Sequence, residues 1–448
     1  MSTTLSKAES ETKPEQAVPW FAAPPVHDIA LDLPTWYTEH QSESWDRFLD
    51  LPDPVRKDEN WRFADLRKVR FSELVAARPV DNVETLVQRA KKERVEHFAA
   101  HYVFANNRLV YSEVADLPDG AVCLPINEAL VQHGDLVKEH FMKEGETLGG
   151  EKFSALHGAA TLSGLFIQVP RGCVIEKPVL IHHFSGGDFQ AVFPHTLITA
   201  NENAQVSVME FFESVGDSEQ NLVIGQVDLV ADQGGNIQYV SLQDLSDLGP
   251  KHVQINSSRA GRDAKIKSAF VNLGASWVRN ESINRMQGTG SDCQIYSANL
   301  ANGSQEYDQR TLQSHEAQHT TSDLLFKNAL YDDARTIFSG LIQVQPGSHY
   351  TDSYQTCRNL LGSETAEANA MPGLEIDADQ VKCSHGSTSG QISDEEIFYL
   401  QARGIPAEDA RKMISLGFMN ESISQLTGDE IKAHLFDRVA RKFRGLDQ

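Results

Sequence analysis

Two stretches of this chain bring reactive side chains close together in sequence. Val381-Lys382-Cys383-Ser384-His385-Gly386 carries a thiol and an imidazole two residues apart. In extended backbone, alternate residues point to the same side, so Cys383 and His385 share a face and Ser384 opposes them. A thiolate beside an imidazole suits zinc, iron or an iron–sulfur cluster. Such a centre needs about four donors, and no obvious second pair exists in the sequence. Two readings stand at this point. Either another chain completes the site, or Cys383 is structural and His385 incidental.

The second stretch, His315-Glu316-Ala317-Gln318-His319, matches H-E-x-x-H. On a helix that spacing sets two imidazoles on one face for zinc, with the glutamate as general base. Its neighbours argue otherwise. QRTLQS precedes it and TTSDLL follows, no third histidine sits at the metzincin spacing, and nothing marks Asp332 or Asp333 as a third ligand. The expectation is polar residues on a solvated strand and turn. A zinc metalloprotease using His315, Glu316 and His319 is the alternative. Other templates fail. There is no G-x-x-x-x-G-K-[ST], so the chain is not itself a P-loop ATPase. Gly386–Gly390 lacks the central serine of a nucleophile elbow. Cys293 and Cys357 are expected as small buried hydrophobes.

The elements that must position these residues differ along the chain. At 448 residues, about three domains fit. Residues 1–18 are polar and read as a disordered tail. Residues 19–158 read as a mixed α/β region, with a helix over 84–100, strands HYVFANN, RLVYSEV and GAVCLPI, then two helical stretches. From 159 to 390 helical periodicity vanishes and β-branched runs alternate with Gly, Asn and Asp. A turn residue followed by an apolar one recurs at Gly172, Asn203, Gly235, Asp263, Asp292 and Asp333. That quasi-period predicts a β-solenoid, whose coils bury their inward side chains on one another. Irregular hairpins in a β-sandwich are the competitor. Residues 391–448 turn helical again. Ser393 and Glu396 form a capping box, Gly404 and Gly417 read as stops, and Ile431, Leu435, Val439 and Phe443 share one face. The basic end, Arg438, Arg441, Lys442 and Arg444, is explained by the helix dipole.

Charge and composition narrow the function. The net charge of −23 disfavours nucleic acid and anionic membrane surfaces as partners. No apolar run reaches the ~18 residues that span a bilayer. The N-terminal MSTTLSKAESETKPEQ lacks an apolar segment and carries three glutamates, against an export or transit signal. Five scattered cysteines without a CxxC pair fit a reducing compartment. The expected location is cytoplasmic. A carbohydrate-acting solenoid enzyme would normally be exported.

Pro372 to Ile405, PGLEIDADQVKCSHGSTSGQISDEEIFYLQARGI, resembles the signature of the SufB/SufD family of iron–sulfur cluster assembly proteins. IFSGLIQV (337–344), Tyr354-Gln355, Leu360-Leu361, Gly417-Phe418 and Glu59-Asn60-Trp61-Arg62 extend the resemblance over about residues 45 to 430. It is nearer the SufD branch, since SufB-like chains are usually longer and richer in cysteine. Met419-Asn420-Glu421 also lacks the carboxylate arrangement associated with SufB.

The resemblance implies a mainly β protein. Its core would be a right-handed parallel β-helix flanked by N-terminal α/β and C-terminal helical regions. It implies a non-catalytic scaffold subunit that pairs with a SufB-like subunit and binds a SufC-like ABC ATPase through residues 391–430. Cys383 and His385 would sit at that heterodimer interface. There they would meet iron or a transient iron–sulfur cluster shared with SufB, none being stably held by the isolated chain. A homodimer is the variant expected where SufB is absent. No catalytic role transfers to His319.

Overall fold

The computed structural model describes residues 32–216 and 220–445. The tail expected over residues 1–18 lies outside them. Between Ser163 and Gln391 the described chain contains no helix. Strands alternate between two sheets, and from Pro194–Ala200 on each pairs in parallel with the strand two places on, up to the last two. One sheet includes Lys251–Ala260, Trp277–Met286, Glu306–His315, Arg335–Val344 and Glu367–Ile376. The other includes Lys265–Asn272, Asp292–Ala301, Thr321–Leu330, Asp352–Leu361 and Lys382–Gln391. The result is the expected β-solenoid, with about eight turns.

The corners explain why the repeat in the sequence is faint. Gly172, Asn203, Gly234, Asp263, Gly290, His319, Tyr350 and Gln380 form one column of left-handed residues, with φ between 55° and 78°. The turn signals at Gly172, Asn203 and Asp263 fall on it, while Gly235 and Asp292 lie one and two residues past it. Asp333 belongs to the opposite corner, beside Asp332 (φ 54°) and below Gly303 (φ 57°). The 41-residue gap from Asp292 to Asp333 therefore mixes two corners. A non-glycine residue in this region costs about 1–2 kcal/mol. Neighbouring corners offset it: the His319 amide donates to the His349 carbonyl at 3.0 Å, and the His319 and Tyr350 rings stack at 4.7 Å.

Inside, the coils change character along the axis. Toward the N-terminal end the interior is aliphatic, with Val206, Ile237, Ile266, Leu229 and Ala231. Toward the C-terminal end it turns polar. Asn272, Asn299, Asn328 and Asn359 occupy one register column. Each amide donates to the next asparagine's carbonyl oxygen at 2.6, 2.7 and 2.7 Å. Buried amides are tolerated because each is satisfied, and the ladder forbids a slip in register.

The N-terminal end is closed. The hairpin Ala100–Ala105 and Arg108–Val114 extends one sheet through Val179–Ser185, turning on Asn106 and Asn107, both with positive φ. Val122–Pro125 runs antiparallel against Ser163–Val169 and extends the other sheet. Around them pack α1 (Thr35–Asp50), α2 (Val83–Glu93), α3 (Ile126–Gln132), α4 (Gly134–His140) and α5 (Glu151–Ala160). The helix expected over 84–100 ends at Glu93, because Val95 and Phe98 leave the helical path to pack on the outer face of the solenoid. Trp61, from the Glu59-Asn60-Trp61-Arg62 stretch, is buried against the Arg279 guanidinium at 3.7 Å and donates to the Gly149 carbonyl at 3.0 Å. That stretch docks the N-terminal region onto the solenoid.

Three helices follow the last coil: α6 (Asp394–Gln401), α7 (Ala407–Ile423) and α8 (Asp429–Gly445). Ser393 caps α6 through the Glu395 amide, and Gly404 (φ 85°) ends its turn. Gly417 does not stop α7, which continues so that Met419 and Ile423 reach the solenoid's outer face. Ile431, Leu435, Val439 and Phe443 are buried as one stripe. The basic end of α8 does more than complement its dipole. Arg438 is buried and contacts Glu93 at 2.5 Å, Glu213 at 2.8 Å and Asp244 at 2.7 Å, while Lys442 holds Asp247.

Two stability outcomes follow from this interior. Asn328→Leu removes the donor to the buried Asn359 carbonyl oxygen and the acceptor shared by Asn299 and Gln309. It should lower stability by about 2–4 kcal/mol, read as a lower urea midpoint. The second concerns pH. His101, His157 and His252 are buried and, chiefly through desolvation, stay neutral down to about pH 3, and His315 down to about 4. Their ordinary value is 6.5. Below it the unfolded chain takes up protons that the folded chain refuses. Stability should hold above pH 7 and fall by roughly 2 kcal/mol per group by pH 5, measured by urea unfolding across that range.

Candidate metal-donor site at the open end of the solenoid

The solenoid ends on strands Glu367–Ile376 and Lys382–Gln391, one from each sheet. Ser353 pairs with Cys383, Gln355 with His385, Cys357 with Ser387 and Asn359 with Ser389. Ser353, Gln355, Cys357 and Asn359 are buried and face the interior. Cys383 and His385 therefore continue interior columns, on the same side, as extended backbone requires. No coil follows them. Cys383 is half-buried and His385 exposed. On the other sheet Leu374 is 37% and Ile376 40% exposed, although they continue the columns of buried Ile342 and Val344. The outer edge of each last strand has no pairing strand among the described residues.

The column above Cys383 is polar. It runs from Cys293 through Ser322 and Ser353. The Ser322 and Ser353 hydroxyls lie 2.6 Å apart, and the buried His315 ring reaches Ser322 Oγ at 3.0 Å and Thr320 Oγ1 at 2.7 Å. This supporting column was not anticipated from sequence. Its signal is a spacing of about 30 residues between paired positions, 31 for Ser322 and Ser353. Burial, and then the Asp352 carboxylate, push the Cys383 thiol up from its ordinary value. It is a thiol that a bound metal must deprotonate. Cys293 and Cys357 are fully buried, as expected, and burial pushes Cys357 up to about 12. Among the described residues no three His, Cys, Asp or Glu side chains gather into a metal-holding group.

The H-E-x-x-H stretch is no zincin helix. His315 ends a strand and His319 sits at a left-handed corner (φ 58°). Glu316 is engaged by Arg285 at 2.8 Å. The expectation of a solvated strand also fails for His315, which is fully buried because it continues the interior column of Ala260 and Met286. Among the described residues no helix is long and apolar enough to cross a membrane.

Fold and site together define a β-solenoid protein with a thiol and an imidazole on one side of its uncovered last strand. Residues 182–418 match the family model for the SUF system FeS cluster assembly, SufBD core domain, and residues 32–181 match that for the SufBD protein N-terminal region. The chain belongs to the SufBD family. It is 25% identical over 418 residues to the iron–sulfur cluster assembly protein SufD of Bacillus subtilis, covering 92% of this chain and 95% of that one. It is 29% identical over 399 residues to SufD of Escherichia coli, covering 88% and 90%. It is 24% identical over 420 residues to the chloroplastic protein ABCI7 of Arabidopsis thaliana, covering 91% and 85%.

The site's accessibility is testable on the native chain. Thiol titration with Ellman's reagent should modify Cys383, and Cys383→Ser should abolish that fraction, while Cys123, Cys293 and Cys357 react only after unfolding. Because its thiol is raised, the Cys383 rate should still be climbing above ~pH 9.5, about one unit past the ordinary value, where an ordinary thiol has levelled off.

Proposed function

We propose that this chain is a SufD-like, non-catalytic scaffold subunit that supplies Cys383 and His385 to iron or a nascent iron–sulfur cluster completed by a partner. One observation carries the reading. The last coil presents two soft-metal donors, bare apolar side chains and unpaired strand edges on one surface. Isolated edges of this kind invite pairing with another chain, and two donors suffice only if a neighbour brings the rest. The partner in this reading is a SufB-like subunit seated end to end on the solenoid, in the cytoplasm.

A SufC-like ATPase would dock on α6 and α7, where Phe398, Tyr399 and Met413 are 71%, 57% and 52% exposed. Exposed aromatic and methionine side chains are common anchors of protein interfaces. Nucleotide can act on the assembly only by favouring one of two geometries through different contacts. The route to the site is short. The buried Lys327 ammonium bonds the Glu421 carboxylate of α7, and the Lys327 strand pairs with the strand that carries Arg358, itself 3.6 Å from Glu421. That strand pairs in turn with the one holding Cys383.

Two variant pairs separate docking from metal binding. Leu374→Asp with Ile376→Asp places charge on the uncovered face and should prevent co-purification of the SufB-like partner. Cys383→Ser with His385→Ala should leave the complex intact and lower its iron and sulfide content about tenfold or more after reconstitution. Unchanged iron and sulfide in an intact double variant would remove the pair from the site. A stable complex of two copies of this chain alone would favour the homodimer.

A further inference from the structure

A second feature lies on the flank of the solenoid, away from its open end. The N-terminal ends of the strands beginning at Leu222, Lys251, Trp277 and Glu306 line up at one corner, and the short turns Leu66–Lys68 and Phe71–Glu73 cross them. Between turns and corner lies a groove of about 450 Å³, within the ~300–1,000 Å³ range of small-molecule sites.

Its polar groups are unbalanced. Lys68 Nζ donates to the Ser276 and Ser304 carbonyls at 3.1 and 2.9 Å. Lys251 Nζ donates to Gln220 Oε1 at 2.9 Å and to the Gly249 carbonyl at 3.2 Å. Neither ammonium has an ion-pair partner among the described residues, although the chain carries 63 acidic side chains. Each is partly buried, and they repel one another. Arg70 adds a third cation at the rim, paired to Glu73 at 2.8 Å. Asn221 lines the groove, is 2% exposed, and has no hydrogen-bond partner for either atom of its side-chain amide. A buried amide left unsatisfied costs about 1–3 kcal/mol, and the Lys68 charge opposes that of Lys251, which Glu73 offsets in part. An anion that accepts from the amide and faces both ammonium groups removes these penalties together. Lysine acts as a point charge, a common partner of phosphate oxygens. Beside the cations the wall is apolar and open, with Phe189 43% and Leu248 76% exposed.

We propose that this groove binds a small organic phosphate, with Lys68, Lys251 and the Asn221 amide on its phosphoryl oxygens and Phe189 and Leu248 against its apolar or planar body. The groove is a half-open cleft rather than a flat basic face, and its volume suits a small molecule better than an acidic polypeptide.

Calorimetric titration of the intact chain with pyrophosphate and with ADP tests this. Both probes should bind saturably at one site, with ADP the tighter because only it reaches Phe189 and Leu248. Asn221→Asp is close to isosteric and sets a carboxylate against the anion. It should weaken both probes about tenfold or more, the loss expected for one charge-assisted hydrogen bond, with the unfolding midpoint confirming an intact fold. Lys251→Met should act likewise, and Lys177→Met, on a distant surface, should change nothing. Failure of both probes to bind saturably overturns the proposal. So does unchanged affinity in folded Asn221→Asp, or binding of a poly-glutamate peptide where ADP and pyrophosphate fail. ADP no tighter than pyrophosphate overturns the assignment of the organic body. None of these outcomes depends on Cys383 or His385.

Discussion

A coil of this solenoid has no core of its own. Its inward side chains are covered only by the coil before and the coil after, so stacking along the axis is the interaction on which the rest depends. Two consequences follow at once. The ends need special treatment, and the register of every column is inherited from its neighbours. At the N-terminal end a hairpin, an antiparallel strand and five helices provide the cover. At the other end nothing described provides it, and there Cys383 and His385 emerge from columns that are interior everywhere else. The polar character of the last coils serves that placement. A ladder of asparagines and a serine pair tolerate one register only, so the Cys383 thiol and His385 imidazole stand beneath Ser353 and Gln355 with little freedom to slide.

Much of this was legible in the sequence, for reasons that can be located. The loss of helical periodicity after Thr161 and the recurrence of turn residues gave the fold class, because coil corners demand left-handed backbone that Gly, Asn and Asp adopt cheaply. The phase was lost where His319, Tyr350 and Gln380 occupy the same corner. These residues carry no turn signature, and their stability there comes from contacts between coils. Alternation along extended backbone placed Cys383 and His385 on one side. Their exposure was not legible, since it depends on which coil is last. Gly417 read as a stop because helix propensity is local, whereas α7 continues for the sake of Met419 and Ile423 on the solenoid. Arg438 read as a dipole complement because its three carboxylate partners lie 194 to 345 residues away.

The flanking helices are mounted through charge. Arg438 joins α8 to α2 and to the sheet that carries Cys383, and Lys327 joins that sheet to Glu421 of α7. Buried pairs of this kind add little net stability against an apolar replacement, because desolvation offsets attraction. They do fix relative placement, since moving one partner alone leaves a charge in a dry site. The helices and the solenoid therefore shift together or break a specific bond.

The uneven ends also give the molecule a direction in time. Every coil rests on one that precedes it in the chain, so a polypeptide emerging amino end first always meets a finished template for its next turn. The thiol and imidazole of the final strand acquire their shared face last, when all earlier turns are already in place.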